Sequence, residues 1–179
     1  SDVCSSDLDV LAPLQRAKTD EYENAMFSVV RMLDYTGSAG FSNEQVSLAM
    51  GPSYVVSFQE RTGDVFDPVR DRIRGNVGRI RRLGADYLMY ALLDVIVDRY
   101  FSVLEVLGEE IEALESAVVD DPSPKAQRSI RDLRGTLVLT RRAVWPVRDL
   151  LAALARSESE LISREVQLFL RDAQDHAVQ

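Results

Sequence analysis

Carboxylates are the residues of this chain best placed to do chemistry. Asp94 and Asp98 stand one helical turn apart, with Leu93, Val95, Ile96 and Val97 around them. On a helix that spacing puts both carboxylates on one face. A charge among such neighbours is costly to bury unless it is paired or holds a metal ion. Asp172 and Asp175 form a similar pair near the carboxyl end. Oxygen ligands suit hard cations: Mg²⁺ keeps most of its waters, so one or two carboxylates suffice, and Co²⁺ accepts the same donors. Spacing alone leaves a second reading open, in which these aspartates form salt bridges with Arg99 or Arg171. The acidic run Glu105, Glu109, Glu110, Glu112 and Glu115 is read as a solvated face with at most loose attraction for divalent cations.

Nucleophilic and acid–base constellations are absent. There is no Gly-x-Ser-x-Gly elbow, no phosphate-cradling glycine loop and no His-Glu-x-x-His pair. The one histidine, His176, adjoins Asp175 and is read as a surface or inter-helix residue. One cysteine and one histidine exclude a disulfide framework and a Cys/His zinc cluster. The expectation is a protein that is not an enzyme.

The chain has 179 residues, 46% hydrophobic and 28% charged, with a net charge of −8. That length and apolar content suit one folded domain. The acidic balance argues against a dedicated nucleic-acid binder, whose affinity rests on cations. No apolar run reaches the 18 or so residues of a membrane span, and the start lacks a signal peptide's basic patch and apolar core. Residues 1–8, SDVCSSDL, match the translation of a common sequencing-adaptor oligonucleotide; a genuine flexible Ser-rich terminus is the alternative. On the adaptor reading, Cys4 carries no biological information and the natural protein extends further at this end.

The elements that must position the carboxylates follow from periodicity. Residues 22–35, 44–50 and 54–60 carry strand patterns, separated by the turn signals TGSAG (36–40) and GPS (51–53). Short connections make them a three-stranded antiparallel meander. Helix is expected from Asp67-Pro68, where the Asp67 carboxylate would cap and Pro68 suits the first turn. Gly84-Ala85-Asp86 opens a long helix, in which Leu104, Leu107, Ile111, Leu114 and Val118 repeat at spacings of three and four. DDPSPKAQ (120–127) breaks it. A second helix repeats Ile130, Leu133, Leu137, Thr140, Val144, Val147, Leu151 and Leu154, so the two should pack as an antiparallel hairpin. Pro146 should kink the second arm, with Trp145 as a packing anchor beside it. A third helix begins near Leu161. Residues 61–82 carry a local charge of +4 and residues 86–121 one of −9. The arginines from Arg70 to Arg82 are read as a solvated or internally paired face, with an anionic-polymer patch as the alternative.

Several runs resemble the CorA family of magnesium and cobalt channels: EQVSLAMGPSYVVSFQE (44–60), FQERTGDVFDPVRDRIR (58–74), ADYLMYALLDVIVDRYFSVLE (85–105), RRAVWPVRDLL (141–151) and FLRDAQDHAVQ (169–179). The resemblance covers about Asp9 to Gln179. Zinc-transporting relatives share the architecture; the Gly-Asp-Val-Phe-Asp-Pro run and Trp145-Pro146 favour the magnesium branch. It implies an α+β chain that is part of an α/β/α sandwich, with 9–100 a partial α/β domain, 101–156 the helix hairpin and 157–179 the start of a long stalk helix. It further implies a homopentamer on the cytoplasmic face of the inner membrane, anchored by two transmembrane helices beyond Gln179, with several strands of the sandwich preceding Asp9. A piece lacking those strands should leave apolar sheet surface uncovered.

The resemblance also implies regulatory Mg²⁺ sites between neighbouring protomers, built from Asp9 (in DVL, 9–11), Asp172 (in LRDAQDH, 170–176) and Asp94 (in ALLDVI, 91–96). Leu8 stands where the family often has a glutamate, and Ala17 where it commonly has a proline. Internal Mg²⁺ is then expected to clamp the ring closed and its loss to open it. The competing expectation is a soluble helical scaffold whose heptads bind partner helices.

Overall fold

The computed structural model describes residues 16–35, 40–120 and 123–178. Four strands form one antiparallel sheet in chain order: β1 (Lys18–Tyr22), β2 (Ala25–Tyr35), β3 (Phe41–Met50) and β4 (Val55–Gln59). The three expected strands are present, and β1 adds a fourth. The segment expected as one strand from residue 22 is divided: Glu23 and Asn24 turn the chain, and Tyr22 pairs back onto Ala25. KTDEY has no apolar alternation of its own, so β1 exists through its ladder with β2 rather than through a sequence signal.

The long β2–β3 ladder runs from Met26↔Met50 to Tyr35↔Phe41. On one face Val30 lies opposite Val46, and Leu48 opposite Ser28, all fully buried. Phe27 and Val29, which alternate onto the other face, are buried as well. A strand buried on both sides is the middle layer of a sandwich. The outer strand β4 differs: Val56 and Phe58, opposite Ala49 and Ser47, are exposed.

Four helices follow: α1 (Asp67–Arg74), α2 (Ala85–Asp120), α3 (Pro124–Ala155) and α4 (Arg164–Val178). Met89, Leu93, Ile96, Tyr100, Val103 and Leu107 recur at spacings of four and three along α2, and all are buried. Both α2 and α3 pack on β2. Each buried leucine or isoleucine of this seam stabilises the fold by about 1.5–3 kcal/mol relative to exposure. Residue 100 lies inside one continuous helix, so the arm that covers the sheet and the first arm of the hairpin are a single rod.

The hairpin is as expected, with α3 capped by Ser123, whose Oγ accepts the Ala126 N–H at 3.3 Å. Its seam is buried only near the sheet. Leu104, between buried Val103 and Leu107, faces outward, and farther along the hairpin Ile130 and Leu137 are exposed, because two helices alone cover only part of each other's apolar stripe. Helix α3 continues through Pro146 without a break. Trp145 is no packing anchor: it is 53% exposed, with the guanidinium carbons of Arg141 and Arg148 4.5 and 5.5 Å from its ring centroid.

The start of α1 also departs from expectation. Asp67 is the first helical residue rather than the cap, and it makes no capping hydrogen bond. Its carboxylate receives Arg70 at 3.0 Å. Asp64 takes the Phe66 N–H at 2.8 Å and Arg70 Nη1 at 2.6 Å.

Candidate functional site

Helix α4 lies along α2 in the same direction. At its start the Ser163 N–H donates to Asp86 Oδ2 at 3.0 Å, while Ser163 Oγ accepts the Val166 N–H at 3.3 Å and caps the helix. Its apolar stripe, Val166, Leu170 and Ala173, is buried at spacings of four and three. Phe169 packs edge-on to Tyr87 and against Tyr90, with both centroid distances 5.4 Å. The Tyr87 hydroxyl accepts from Arg72 Nη2 at 3.0 Å. At the far end His176 stacks edge-on with Phe101 at 5.6 Å.

Asp94 stands on this α2–α4 contact, half-buried. Burial pushes its carboxyl pKa upward, and the negative charge of Asp98 adds to the shift. The hydrogen bond from Tyr90 and the electrostatic influence of His176 and Arg72 oppose it. Tyr90 is raised in turn, first by burial and then by Asp94. A carboxylate held in poor solvation, with hydroxyl and cationic groups only partly offsetting the cost, gains free energy from an added cation.

Asp98, one turn on, is exposed and lines a separate cavity with Asp34, Asp64 and Arg99. The two aspartates therefore interact but do not converge on one cavity. The salt-bridge reading fails for Arg99, which pairs with Asp34 on β2 instead. Asp94 makes no ion pair among the described residues. Three of the six arginines from Arg70 to Arg82 are paired internally: Arg70 with Asp64 and Asp67, Arg74 with Asp71, and Arg79 with Glu165.

Asp172 is exposed on α4 beside buried Ala173, and Asp175 is exposed as well. Asp9 lies outside the described residues. Among the described residues no three His, Cys, Asp or Glu side chains gather as a metal site. The described residues of one copy thus offer separated oxygen donors, not a closed cage. Periodicity missed the Tyr87–Tyr90–Phe169 cluster and the Asp86–Ser163 tie, both long-range contacts with no local signal.

The chain is a member of the CorA-like Mg²⁺ transporter family, whose family model, "CorA-like Mg2+ transporter protein", matches residues 4–179. That span includes Cys4 to Leu8 of the stretch read as adaptor-derived. The chain is 42% identical over 172 residues to the cobalt/magnesium transport protein CorA of Thermotoga maritima, covering 96% of this chain and 49% of that protein. It is 25% identical over 168 residues to the putative metal ion transporter YfjQ of Bacillus subtilis, covering 94% and 51%. The chain thus spans about half the length of these curated relatives. Its fold matches the soluble domain of CorA from Methanocaldococcus jannaschii with a TM-score of 0.84 at 19% identity, over 98% of this chain and 70% of that one. No described helix is long and apolar enough to cross a membrane.

Proposed function

We propose that this chain is the cytoplasmic ion-sensing and gating part of a CorA-type Mg²⁺/Co²⁺ channel, acting in a homopentamer at the inner membrane. The observation that carries this reading is Asp94: a half-buried carboxylate without an ion pair, on the contact between the sheet-covering helix and the helix that would continue as the stalk. The relatives' names support the cation class, and the oxygen-only donors fit Mg²⁺ or Co²⁺.

In this reading Asp172 on α4 faces Asp9 of the neighbouring copy, and Asp94 supplies a further carboxylate behind them. Bound there, the ion supplies the two positive charges that opposed carboxylates need to approach. Without those charges the carboxylates repel across the interface, and the stalk helices splay. The coupling is linkage: the arrangement with ligands facing each other binds the cation better, so internal Mg²⁺ populates the closed ring. Helix α4 transmits the change because Asp86, Phe169 and Ala173 hold it against α2. Beyond Val178 the cleft continues as an apolar groove lined by Ile111, Leu114, Val118, Ile130, Leu133 and Leu137, and the stalk continuation is proposed to lie in it.

The same groove favours one other reading, a scaffold that takes a partner helix. The two separate on the full-length protein in vesicles loaded with a Mg²⁺ indicator. A channel carries Mg²⁺ down its gradient, whereas a protein that produces no flux is not one.

A further inference from the structure

On the opposite flank of α3 from the ion-sensing contact is a concentration of positive charge with no role in the proposed gating. A cavity of about 660 Å³ opens between the sheet and α3, lined by Arg16, Arg31, Arg141, Arg142, Asn43 and Trp145. Its other described walls are apolar, and no described carboxylate lines it. Four arginines line this cavity in a chain of net charge −8, and one of them, Arg31, is already engaged by Asn43 and by nearby Glu60 and Glu44.

Arg31 is fixed in place. It is only 8% exposed; its Nε donates to Asn43 Oδ1 at 2.7 Å and its Nη2 to the Asn43 carbonyl at 3.1 Å. Burial draws its pKa down, while Glu60 and Glu44 nearby hold it up. Arg16 and Arg142 are exposed and make no ion pair among the described residues. Arg141 is held by the Trp145 ring, 4.5 Å from its centroid.

Apolar walls strengthen the field of the exposed arginines Arg16, Arg141 and Arg142, so a multivalent anion gains more here than on open surface. Their planar forks match phosphate oxygens two at a time. The volume far exceeds a halide and accommodates a di- or triphosphate. Arg141 and Arg148 already sit on the Trp145 ring, so the cavity offers phosphate recognition rather than a platform for a base. We propose that this cavity binds a phosphate-bearing anion, with a diphosphate or triphosphate group as its best match. Arg141 and Trp145 also line the cleft that holds Phe101 and His176, so an occupied cavity shares a wall with the end of α4.

Trp145 is the sole tryptophan, so its fluorescence reports this cavity. The test is a titration of the 179-residue chain with inorganic pyrophosphate, in EDTA at low salt, by fluorescence and calorimetry. Saturable binding is expected, weakened at least tenfold in the Arg16→Ser/Arg142→Ser double variant at unchanged melting temperature. A parallel flotation with phosphatidylglycerol vesicles separates the sources. Retention on vesicles without pyrophosphate binding assigns the phosphoryl group to a lipid headgroup, and pyrophosphate binding without retention to a soluble anion. Binding of neither overturns the proposal. So does a signal reproduced by sodium chloride of equal ionic strength, or equal affinity in the double variant. Self-association that the double variant abolishes, without any phosphate binding, would instead assign the cavity to carboxylates of a second copy and overturn it too.

Discussion

Asp86, in the first turn of α2, accepts the backbone N–H of Ser163 at the entry to α4, 77 positions along the chain. Its other oxygen accepts the Tyr87 N–H at 2.9 Å. One carboxylate therefore fixes where α4 leaves the body of the domain. Asp86→Ala is expected to cost about 0.5–2 kcal/mol, the scale of a lost helix cap. Hydrogen exchange should quicken at Ser163 and through the first turn of α4, while β2 and β3 keep their protection. Uniform acceleration across the sheet would contradict a local tie.

Leu170, 2% exposed, is the central apolar residue holding α4 to the core. Leu170→Ala should destabilise by about 2–5 kcal/mol. Before global unfolding, α4 should come away, which would be visible as early proteolysis between α3 and α4. Leu168, exposed one position before Phe169, is the control: Leu168→Ala should change stability by less than about 0.5 kcal/mol.

Arg70 holds the Asp64 carboxyl below the usual carboxylate range, chiefly through side-chain hydrogen bonds, against the opposing effect of burial. A depressed pKa in the folded state gives stability that is present above the unfolded value of about 3.9 and lost as pH falls toward the folded one. Arg70→Ala should therefore flatten the stability profile below about pH 4. Near neutrality it should cost about 1–3 kcal/mol, because Asp64 is left largely buried without its partner. Thermal melts of both proteins across pH 3–7 test this, and parallel profiles would contradict it.

Asp94 has the opposite sign. Its carboxyl is raised by burial, so the ionised form destabilises the fold at neutral pH, and that penalty is relieved as pH falls through the folded value. Asp94→Asn should melt roughly 2–4 °C higher than the parent at pH 7 in EDTA. The gap should close on acidification. Added Mg²⁺ should stabilise the assembled parent and not the variant. A variant less stable than the parent in EDTA would mean that Asp94 is there for structure.

The helices were legible because α2 and α3 keep spacings of three and four over many turns, and the strands from Ala25 onward because they alternate. Lys18–Tyr22 was not, since its residues gain strand geometry only by pairing with β2. Neither was the exposure of Trp145, because a helical pattern shows which residues share a face without showing what covers that face. The half-exposed outer hairpin has the same cause. Asp94 was legible as a carboxylate among apolar neighbours. Its separation from Asp98, and the capture of Arg99 by Asp34, depend on how β2 crosses α2, which local spacing does not encode. Asp9 was named from resemblance alone.

The central claim, that carboxylates of adjoining copies hold Mg²⁺ and close the pore, is tested most directly by inhibition of flux in the full-length protein as internal Mg²⁺ is raised. Asp172→Ala and Asp9→Ala should each require at least several-fold more Mg²⁺ for half-inhibition, with conduction itself preserved. Half-inhibition at the same Mg²⁺ concentration in both variants and the parent would contradict the account.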